Sequence, residues 1–391
     1  MNDRPLRTHR ASEARRRLST RLARAGLAAL ILATLAGPAC RRAGISVKGM
    51  SGAFLNAAVI PTADGGCRLW ILTDASLSYI KTVRRPGYFS TGRRCVSCKT
   101  RLYVYDPASE AVLQKFTTSY KTILTQTWMA YVNGQVWVVT GPYDENEPRV
   151  FVYKTDPPGL VDETPGLVAR YAELRSGLIG VRMDKNPLRL TFDTKDGRTN
   201  LVLDLEDGKF YPTVDAYREF ANRRDSEPIT VHALGREDAG GPRKRLYKVT
   251  GPRERLSSSF VEYMLTNPQQ LKFSNSVAEV ETPERVYLDG FILYQDGDGC
   301  LILDQDVAGP VADRRLTFVG PNGRVKWTAP QAELFPELKV DTNRTSNTRM
   351  DLLKSSLEGS RAGRALVVQV KGVGLAAFDL ETGRKIWELK F

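Results

Sequence analysis

The stretch Leu375-Ala-Ala-Phe-Asp379-Leu-Glu-Thr-Gly383-Arg-Lys-Ile-Trp387-Glu-Leu-Lys-Phe391 decides the fold of this 391-residue chain. Apolar residues lie at period two on both sides of a Thr-Gly turn, and glycine readily adopts the positive φ that tight hairpin turns require. This pattern predicts two antiparallel strands joined by a short turn.

Comparable strand–turn–strand units recur upstream. Asp204 and Gly208 repeat the Asp-to-Gly spacing, and Asn133-Gly134 joins two apolar runs as a type I′ hairpin turn would. The equivalent turn points are taken to be Asp106, Lys154, Asp204, Thr250, Gly320 and Asp379. They are separated by 48, 50, 46, 70 and 59 residues. Propeller blades repeat every ~40–50 residues, so the spacing predicts a β-propeller, with a pair of β-sandwiches as the alternative.

The C-terminal unit resembles the outer hairpin of a blade in the quinoprotein-type β-propellers with PQQ-type repeats. The shared pattern is an apolar strand, Asp379, Thr382-Gly383 and Trp387. The resemblance implies an all-β ring of four-stranded blades over residues 56–391, and the six turn points, with strands before the first of them, predict six or seven blades. Seven is favoured, because the longer intervals leave room for one more blade. Short helical insertions are expected between blades, including one over residues 215–223.

Residues 1–40 have the composition of an export signal. Eight arginines and two acids in residues 1–24 precede an uncharged Ala/Leu-rich run of fifteen residues, 25–39. A basic segment, a short apolar segment and small residues before a cleavage site are typical of a secretory signal peptide. At about 1.5 Å per residue, the run is too short for the roughly 30 Å core of a bilayer, so no permanent transmembrane helix is expected.

Cys40 is the expected lipidation site, because Gly37-Pro38-Ala39 takes the position of a lipobox before it. Acylation would anchor the chain to a membrane, and residues 41–55 would form a linker. Arg41-Arg42 differ from the acidic signal that retains many lipoproteins at the inner membrane, so this resemblance implies the periplasmic face of the outer membrane. Cleavage after Ala39 without acylation, which gives a secreted protein, is the alternative.

The net charge of +13 overstates the basicity of the folded part, because the export signal contributes eight arginines against two acids and leaves about +7. An exported chain meets anionic lipid before it meets nucleic acid, so no nucleic-acid partner is expected. A hydrophobic content of 42% is ample for a buried core.

Four cysteines remain if Cys40 carries lipid, an even number in an oxidising compartment. Three pairings are possible, and we favour a local Cys95–Cys98 bridge and a long-range Cys67–Cys300 bridge, since Cys67 and Cys300 each follow a turn at the start of a strand. Lys99 stands where a c-type haem site needs histidine, and the surrounding cations disfavour zinc. Redox activity of Cys95 and Cys98 is the alternative, because nearby cations lower the pKa of a thiol.

The segment from Lys81 to Lys99 is a candidate binding loop. Its cations alternate with Tyr88 and Phe89, and this mixture suits an anionic ligand; the cations are Arg84, Arg85, Arg93, Arg94 and Lys99. The alternative is that this segment is a solvent-exposed loop, held in place by a disulfide, with no ligand.

Catalytic and metal-binding patterns are weak. Asp296 and Asp298 have the carboxylate density of a calcium loop, but a hairpin turn explains the Asp-Gly pairs, so no metal site is expected. His232 has no recognisable catalytic partner. Cofactors are not expected, because the adjacent cysteines and acidic calcium pocket of the quinone-dependent dehydrogenases have no counterpart here.

Together these patterns predict an exported lipoprotein β-propeller that acts as a non-enzymatic binding or scaffolding platform in the bacterial cell envelope. Its expected partner is another envelope protein or an anionic ligand. A quinone-dependent or hydrolytic enzyme with a site in the central channel is the alternative.

Overall fold

The computed structural model describes residues 49–85, 88–120, 126–141, 148–185, 188–224, 229–236, 241–251, 277–280, 285–305, 314–330 and 357–391. Within these ranges the chain is mostly β-strand, and the strands form five antiparallel sheets. Each sheet contains a four-stranded meander, so we describe five blades.

Blades 1 to 3 follow the chain in order. Blade 1 consists of β1 (Ala53–Pro61), β2 (Cys67–Asp74), β4 (Tyr88–Asp106) and β5 (Ala111–Tyr120), with β3 (Leu77–Arg85) paired to the first half of β4. Blade 2 consists of β6 (Gln126–Val132), β7 (Gln135–Gly141), β8 (Arg149–Thr155) and β9 (Pro158–Glu163). Blade 3 consists of β10 (Leu178–Lys185), β11 (Leu188–Thr194), β12 (Leu201–Asp204) and β13 (Phe210–Tyr211).

Blades 4 and 5 complete the described strands. The meander of blade 4 is β17 (Tyr287–Asp296), β18 (Gly299–Gln305), β19 (Arg314–Val319) and β20 (Val325–Pro330), and its sheet also contains β14 (Ile229–Arg236), β15 (Arg243–Gly251) and β16 (Val277–Val280). Blade 5 consists of β21 (Leu357–Ala362), β22 (Ala365–Val370), β23 (Gly374–Asp379) and β24 (Lys385–Lys390).

The propeller fold is confirmed, but the expected number of six or seven blades is wrong. Thr250 lies in β15 and Gly320 follows β19, and both strands belong to the seven-stranded sheet. The pairs Arg243–Leu288 and Lys244–Tyr287 join β15 to β17 within that sheet. Two turn points counted as separate blades therefore share one sheet.

Apolar clusters between the sheets hold neighbouring blades together. One cluster joins blades 1 and 2, one joins blades 2 and 3, and one joins blades 4 and 5. A fourth joins blade 5 to blade 1, where the Phe54 and Phe391 rings stack at 5.1 Å. The side chain of Gln369 also donates to that of Asn56 at 3.0 Å. The first and last blades are thus direct neighbours.

The predicted hairpin turns form as expected. Asn133 and Gly134 have φ of 50° and 75°, the left-handed pair that a type I′ turn requires. In the C-terminal hairpin the Asp379 carboxylate accepts hydrogen bonds from the backbone N–H groups of Glu381 and Thr382, at 3.1 and 2.9 Å. Local side chain–backbone bonds of this kind stabilise the turn that joins the two strands.

Few helices interrupt the described strands. They are α1 (Thr164–Arg170), a 3₁₀ turn (Ala172–Leu174) and α2 (Val214–Arg224). The helix expected over residues 215–223 is confirmed by α2, whose Tyr217 and Ala221 pack on Val202 of blade 3. No helix in the described part of the chain is long and apolar enough to span a membrane. The expected export signal, its Cys40 and the linker up to residue 48 lie outside the described residues.

Candidate functional site

The strongest candidate for a binding site is a two-stranded ribbon, residues 77–85 and 88–97, which leaves blade 1 between β2 and the second half of β4. Its two strands pair over their whole length, from Leu77 opposite Ser97 to Arg85 opposite Tyr88. The sequence suggested a loop here, and the structure instead has a hairpin. Aromatic and β-branched residues on either side of Pro86-Gly87 explain the strands.

Both edges of the ribbon lack a partner strand among the described residues. β4 pairs with β2 only from Thr100 onward and with β5 only from Cys98 onward. β3 pairs with β4 alone and ends the order of strands in the sheet. Unpaired edges present backbone N–H and C=O groups that can pair with another extended chain.

The ribbon has a strongly basic composition. Residues 77–97 contain five cations and no carboxylate, namely Lys81, Arg84, Arg85, Arg93 and Arg94. Backbone register places Arg84 opposite Phe89 and Arg94 opposite Tyr79. The predicted anionic-ligand residues therefore lie together on the ribbon, with Lys99 just beyond its base. Side-chain positions from residue 78 to residue 95 lie outside what the structure describes.

The base of the ribbon is firmly attached to blade 1. The Ala75 backbone N–H donates to the Lys99 carbonyl at 2.9 Å, and the Lys99 N–H donates to the Ser76 hydroxyl at 3.1 Å. The Ser76 N–H donates in turn to the Asp74 carboxylate at 2.8 Å. These bonds fix the direction in which the ribbon leaves the blade.

Two large apolar side chains lie exposed at the same base. Leu77 is 57% exposed and Val96 is 63% exposed, and Val96 adjoins Ser97, the register partner of Leu77. Scattered exposed apolar residues are ordinary, but two neighbours beside unpaired strand edges suit a contact with another protein. The sequence pattern did not single out either residue, because both alternate with polar residues as strand residues do.

The structure contradicts one of the two expected cysteine bridges. Cys67 and Cys300 are buried and neither forms a disulfide, so the expected Cys67–Cys300 bridge is wrong. Cys67 packs between blades 1 and 5, whereas Cys300 packs inside the sheet of blade 4, with blade 5 between the two. Burial, helped by the Asp106 charge, raises the pKa of the Cys67 thiol to about 11, which keeps it protonated and unreactive. Cys98 is buried, and because the Cys95 side chain is not described, the Cys95–Cys98 bridge stays a prediction.

Asp296 and Asp298, the weak calcium candidates, contact a cation of the protein itself. The guanidinium of Arg361 in blade 5 lies 2.5 Å from a carboxylate oxygen of each. The Tyr294 hydroxyl also donates to Asp296 at 2.8 Å. No set of three or more potential metal ligands occurs in the described part of the chain. These carboxylates therefore join blade 4 to blade 5.

This contact predicts an acid-sensitive contribution to stability. Burial by itself would raise the pKa of Asp296, but hydrogen bonds from Tyr294 and Arg361 outweigh it and lower that pKa. The contact therefore stabilises the fold above the ordinary Asp pKa of about 3.9, and its contribution is lost as pH falls through the lowered folded value. We expect Arg361→Ala to cost about 1 kcal/mol at neutral pH and to flatten the loss of stability in acid.

Thermal unfolding between pH 7 and pH 2 measures this effect. Arg364→Ala is the matched control, because Arg364 is 75% exposed and lies 3.4 Å from Asp379. If both variants show the acid dependence of the parent chain, Asp296 does not stabilise the fold through Arg361.

A second polar cluster lies inside blade 4. The Asp304 carboxylate is fully buried and accepts hydrogen bonds from Arg315 Nε and Nη2, at 3.1 and 3.0 Å, and from the Thr317 hydroxyl at 3.1 Å. His232 is buried in the same sheet, where its backbone N–H donates to the Gln295 side chain at 2.7 Å. The hydrogen bonds around Asp304 are typical of a structural role.

Comparison with known proteins gives only distant likenesses. No family model matches the chain, and no curated protein matches it. Among solved structures, an uncharacterised protein of Listeria monocytogenes is 9% identical with a TM-score of 0.28, covering 88% of this chain and 97% of the other. BamB from Moraxella catarrhalis is 12% identical with a TM-score of 0.20, covering 88% of each chain.

A prolyl endopeptidase is 11% identical with a TM-score of 0.27 over 86% of this chain. This chain spans only 41% of the length of that enzyme. TM-scores this low carry no argument about function, so the functional argument must come from the residues of the site itself.

Proposed function

We propose that this protein is a non-enzymatic binding propeller of the bacterial cell envelope, and that the ribbon binds an acidic, extended segment of another envelope protein. A rigid propeller suits such a role, because it holds a protruding element in a fixed direction. The observation that carries the proposal is a ribbon with five cations and no carboxylate, whose two edges pair with no strand in the part of the chain that the structure describes.

Two kinds of contact would act together along the ribbon. Backbone groups of an added strand would pair with the free edge of β3 or of the first half of β4, as in β-strand addition. Acidic side chains of that strand would meet the cations, which favours encounter and excludes basic partners. Leu77 and Val96, exposed at the base, would add apolar contact area.

The envelope location is proposed from the first forty residues. A basic segment, a short apolar run and Cys40 are the features that support export and lipid attachment. Labelling of cells with a palmitate analogue tests Cys40. We expect label on the parent chain and none on Cys40→Ser, and an unlabelled parent chain would contradict lipid attachment.

The ribbon hypothesis predicts loss of the partner when the charges are removed. We expect replacement of Lys81, Arg84, Arg85, Arg93 and Arg94 by glutamine to reduce capture of the partner at least tenfold, because the attraction and specificity of an acidic segment depend on these charges. The measurement is crosslinking in intact cells followed by affinity purification and mass spectrometry. Unchanged thermal unfolding confirms that the variant is folded.

A matched control removes five exposed cations elsewhere, namely Lys115, Lys154, Arg324, Lys371 and Arg384. This control has the same change in net charge but an intact ribbon, and we expect it to keep the partner. Equal loss of partner in the two variants would show that net charge, and not the ribbon, governs capture. Full capture by the ribbon variant would also contradict the proposal.

A further inference from the structure

Two turns on different blades share one sequence pattern, Asp-Leu-Glu-x-Gly. Residues 379–383 follow β23 of blade 5, and residues 204–208 follow β12 of blade 3. In both turns the glycine has φ of +69°, and its N–H donates to the aspartate carbonyl, at 2.9 Å for Gly383 and 3.0 Å for Gly208. The leucine N–H also donates to a backbone carbonyl in the preceding hairpin. Leu380 donates to the Arg364 carbonyl, and Leu205 donates to the Leu188 carbonyl. The two turns have equivalent backbones.

The atoms that surround the Cβ position of the glycine differ between the two turns. Over Gly383 lies the indole of Trp327 from blade 4, so close that a Cβ on Gly383 would be 2.5 Å from the ring. That indole donates from Nε1 to the Leu380 carbonyl at 2.9 Å. Over Gly208 a Cβ would meet no atom within 4 Å. The position that an indole fills at one turn is open at the other.

A cavity of about 310 Å³ lies at the open turn, between blades 2 and 3. Trp137 and Tyr171 line it, and the Tyr171 ring is held against Phe210 with centroids 5.1 Å apart. Among the described residues, no donor reaches the Leu205 carbonyl. The Leu205 carbonyl can therefore accept a hydrogen bond from a group that enters the cavity.

The charged residues that line the cavity restrict the kind of ligand that it can bind. Glu206 and Asp207 line the cavity with Asp204, whereas the one lining cation, Arg170, forms an ion pair with Asp162 at 2.5 Å. Anionic ligands are therefore disfavoured. The occupant needs a flat ring for the glycine face and a donor for the Leu205 carbonyl. The tryptophan side chain of a polypeptide has both, as Trp327 shows at the equivalent turn of blade 5.

We propose that this cavity binds a tryptophan side chain of a partner polypeptide, with the indole on Gly208 and its N–H donating to the Leu205 carbonyl. The occupied turn in blade 5 supplies the geometric precedent within the same molecule. This site lies on blades 2 and 3 and is independent of the ribbon on blade 1.

Calorimetric titration of the full chain with N-acetyltryptophanamide tests the proposal. We expect weak saturable binding in the millimolar range, as for a ligand of this size. Methylation of the indole nitrogen removes the donor and should weaken binding about fivefold. Gly208→Ala inserts a methyl group under the ring and should weaken binding by about tenfold or more.

Gly197→Ala is the matched control for the protein variant. Gly197 also has positive φ, at +85°, and open space around its Cβ position, but it lies on another turn of blade 3. We expect this control to bind as the parent chain does. Equal effects of the two glycine variants, equal binding of the methylated ligand, or no saturable binding would each overturn the proposal. Free indole binding as tightly as the amide would indicate a small-molecule ligand and overturn the polypeptide assignment.

Discussion

Asp304→Ala is expected to lower the free energy of unfolding by about 3 kcal/mol, because it leaves the Arg315 guanidinium partly buried without its counterion. Thr317 loses the acceptor of its hydroxyl in the same step. Asp304 is 0% exposed, so water cannot replace these bonds without opening the sheet of blade 4. Urea unfolding followed by circular dichroism measures the change.

The chain offers a closely matched control in Asp184→Ala. Asp184 and Arg189 are direct cross-strand partners on β10 and β11, as Asp304 and Arg315 are on β18 and β19. The Asp184 side chain is 46% exposed, however, and an exposed pair contributes only about 0–1 kcal/mol. If both alanine variants lower the free energy of unfolding by the same small amount, burial does not make the Asp304–Arg315 pair more stabilising than an exposed pair. Replacing Asp304 and Arg315 together by leucine should restore much of the loss, because no buried charge then lacks a partner.

Gly383→Ala is expected to cost about 3 kcal/mol. Alanine at φ of +69° adds a backbone strain of about 1 kcal/mol, and its methyl group would overlap the Trp327 ring. The indole cannot easily move aside, because Nε1 is bonded to the Leu380 carbonyl and the ring stacks with Phe318 and Phe378. Thermal unfolding of the variant measures the loss.

Gly208→Ala separates the two contributions, since Gly208 has the same φ and no atom near the added methyl group. We expect this variant to lose only the backbone strain, about 1 kcal/mol. The difference between the two variants then reports the contact with the indole. Equal losses of stability in the two variants would mean that the Trp327 ring moves aside at no cost in free energy. The close contact between blades 4 and 5 would then not be rigid.

Local features of the fold were predictable from sequence. The Asn133-Gly134 and Asp379–Gly383 turns form as predicted, because their geometry depends on glycine, asparagine and aspartate acting within a few residues. The blade number was not predictable from turn spacing. Whether β15 pairs with β17 depends on contacts between Lys244 and Tyr287, which lie 43 residues apart and carry no local signal.

The same distinction holds for the candidate sites. The basic character of the ribbon is a property of composition and could be predicted from the sequence. That its edges have no partner among the described strands depends on where β2 and β5 stop pairing with β4. The partner of Asp296 could not be predicted, because Arg361 lies 65 residues away on the next blade. A shared Asp-Leu-Glu-x-Gly pattern did signal equivalent turns, but only coordinates reveal which of them carries an indole.

The contact between Phe54 and Phe391 has a consequence for biosynthesis. A ribosome delivers this chain from its N-terminus, so β1 emerges long before the residues that will cover it. Until the strands of blade 5 arrive, the surface formed by Met50, Phe54 and Leu69 lacks the residues that cover it on that side, which include Val367, Leu375 and Leu389. Release before blade 5 has emerged would leave this nascent surface open to aggregation, and a chaperone that shields it would be needed until blade 5 has formed.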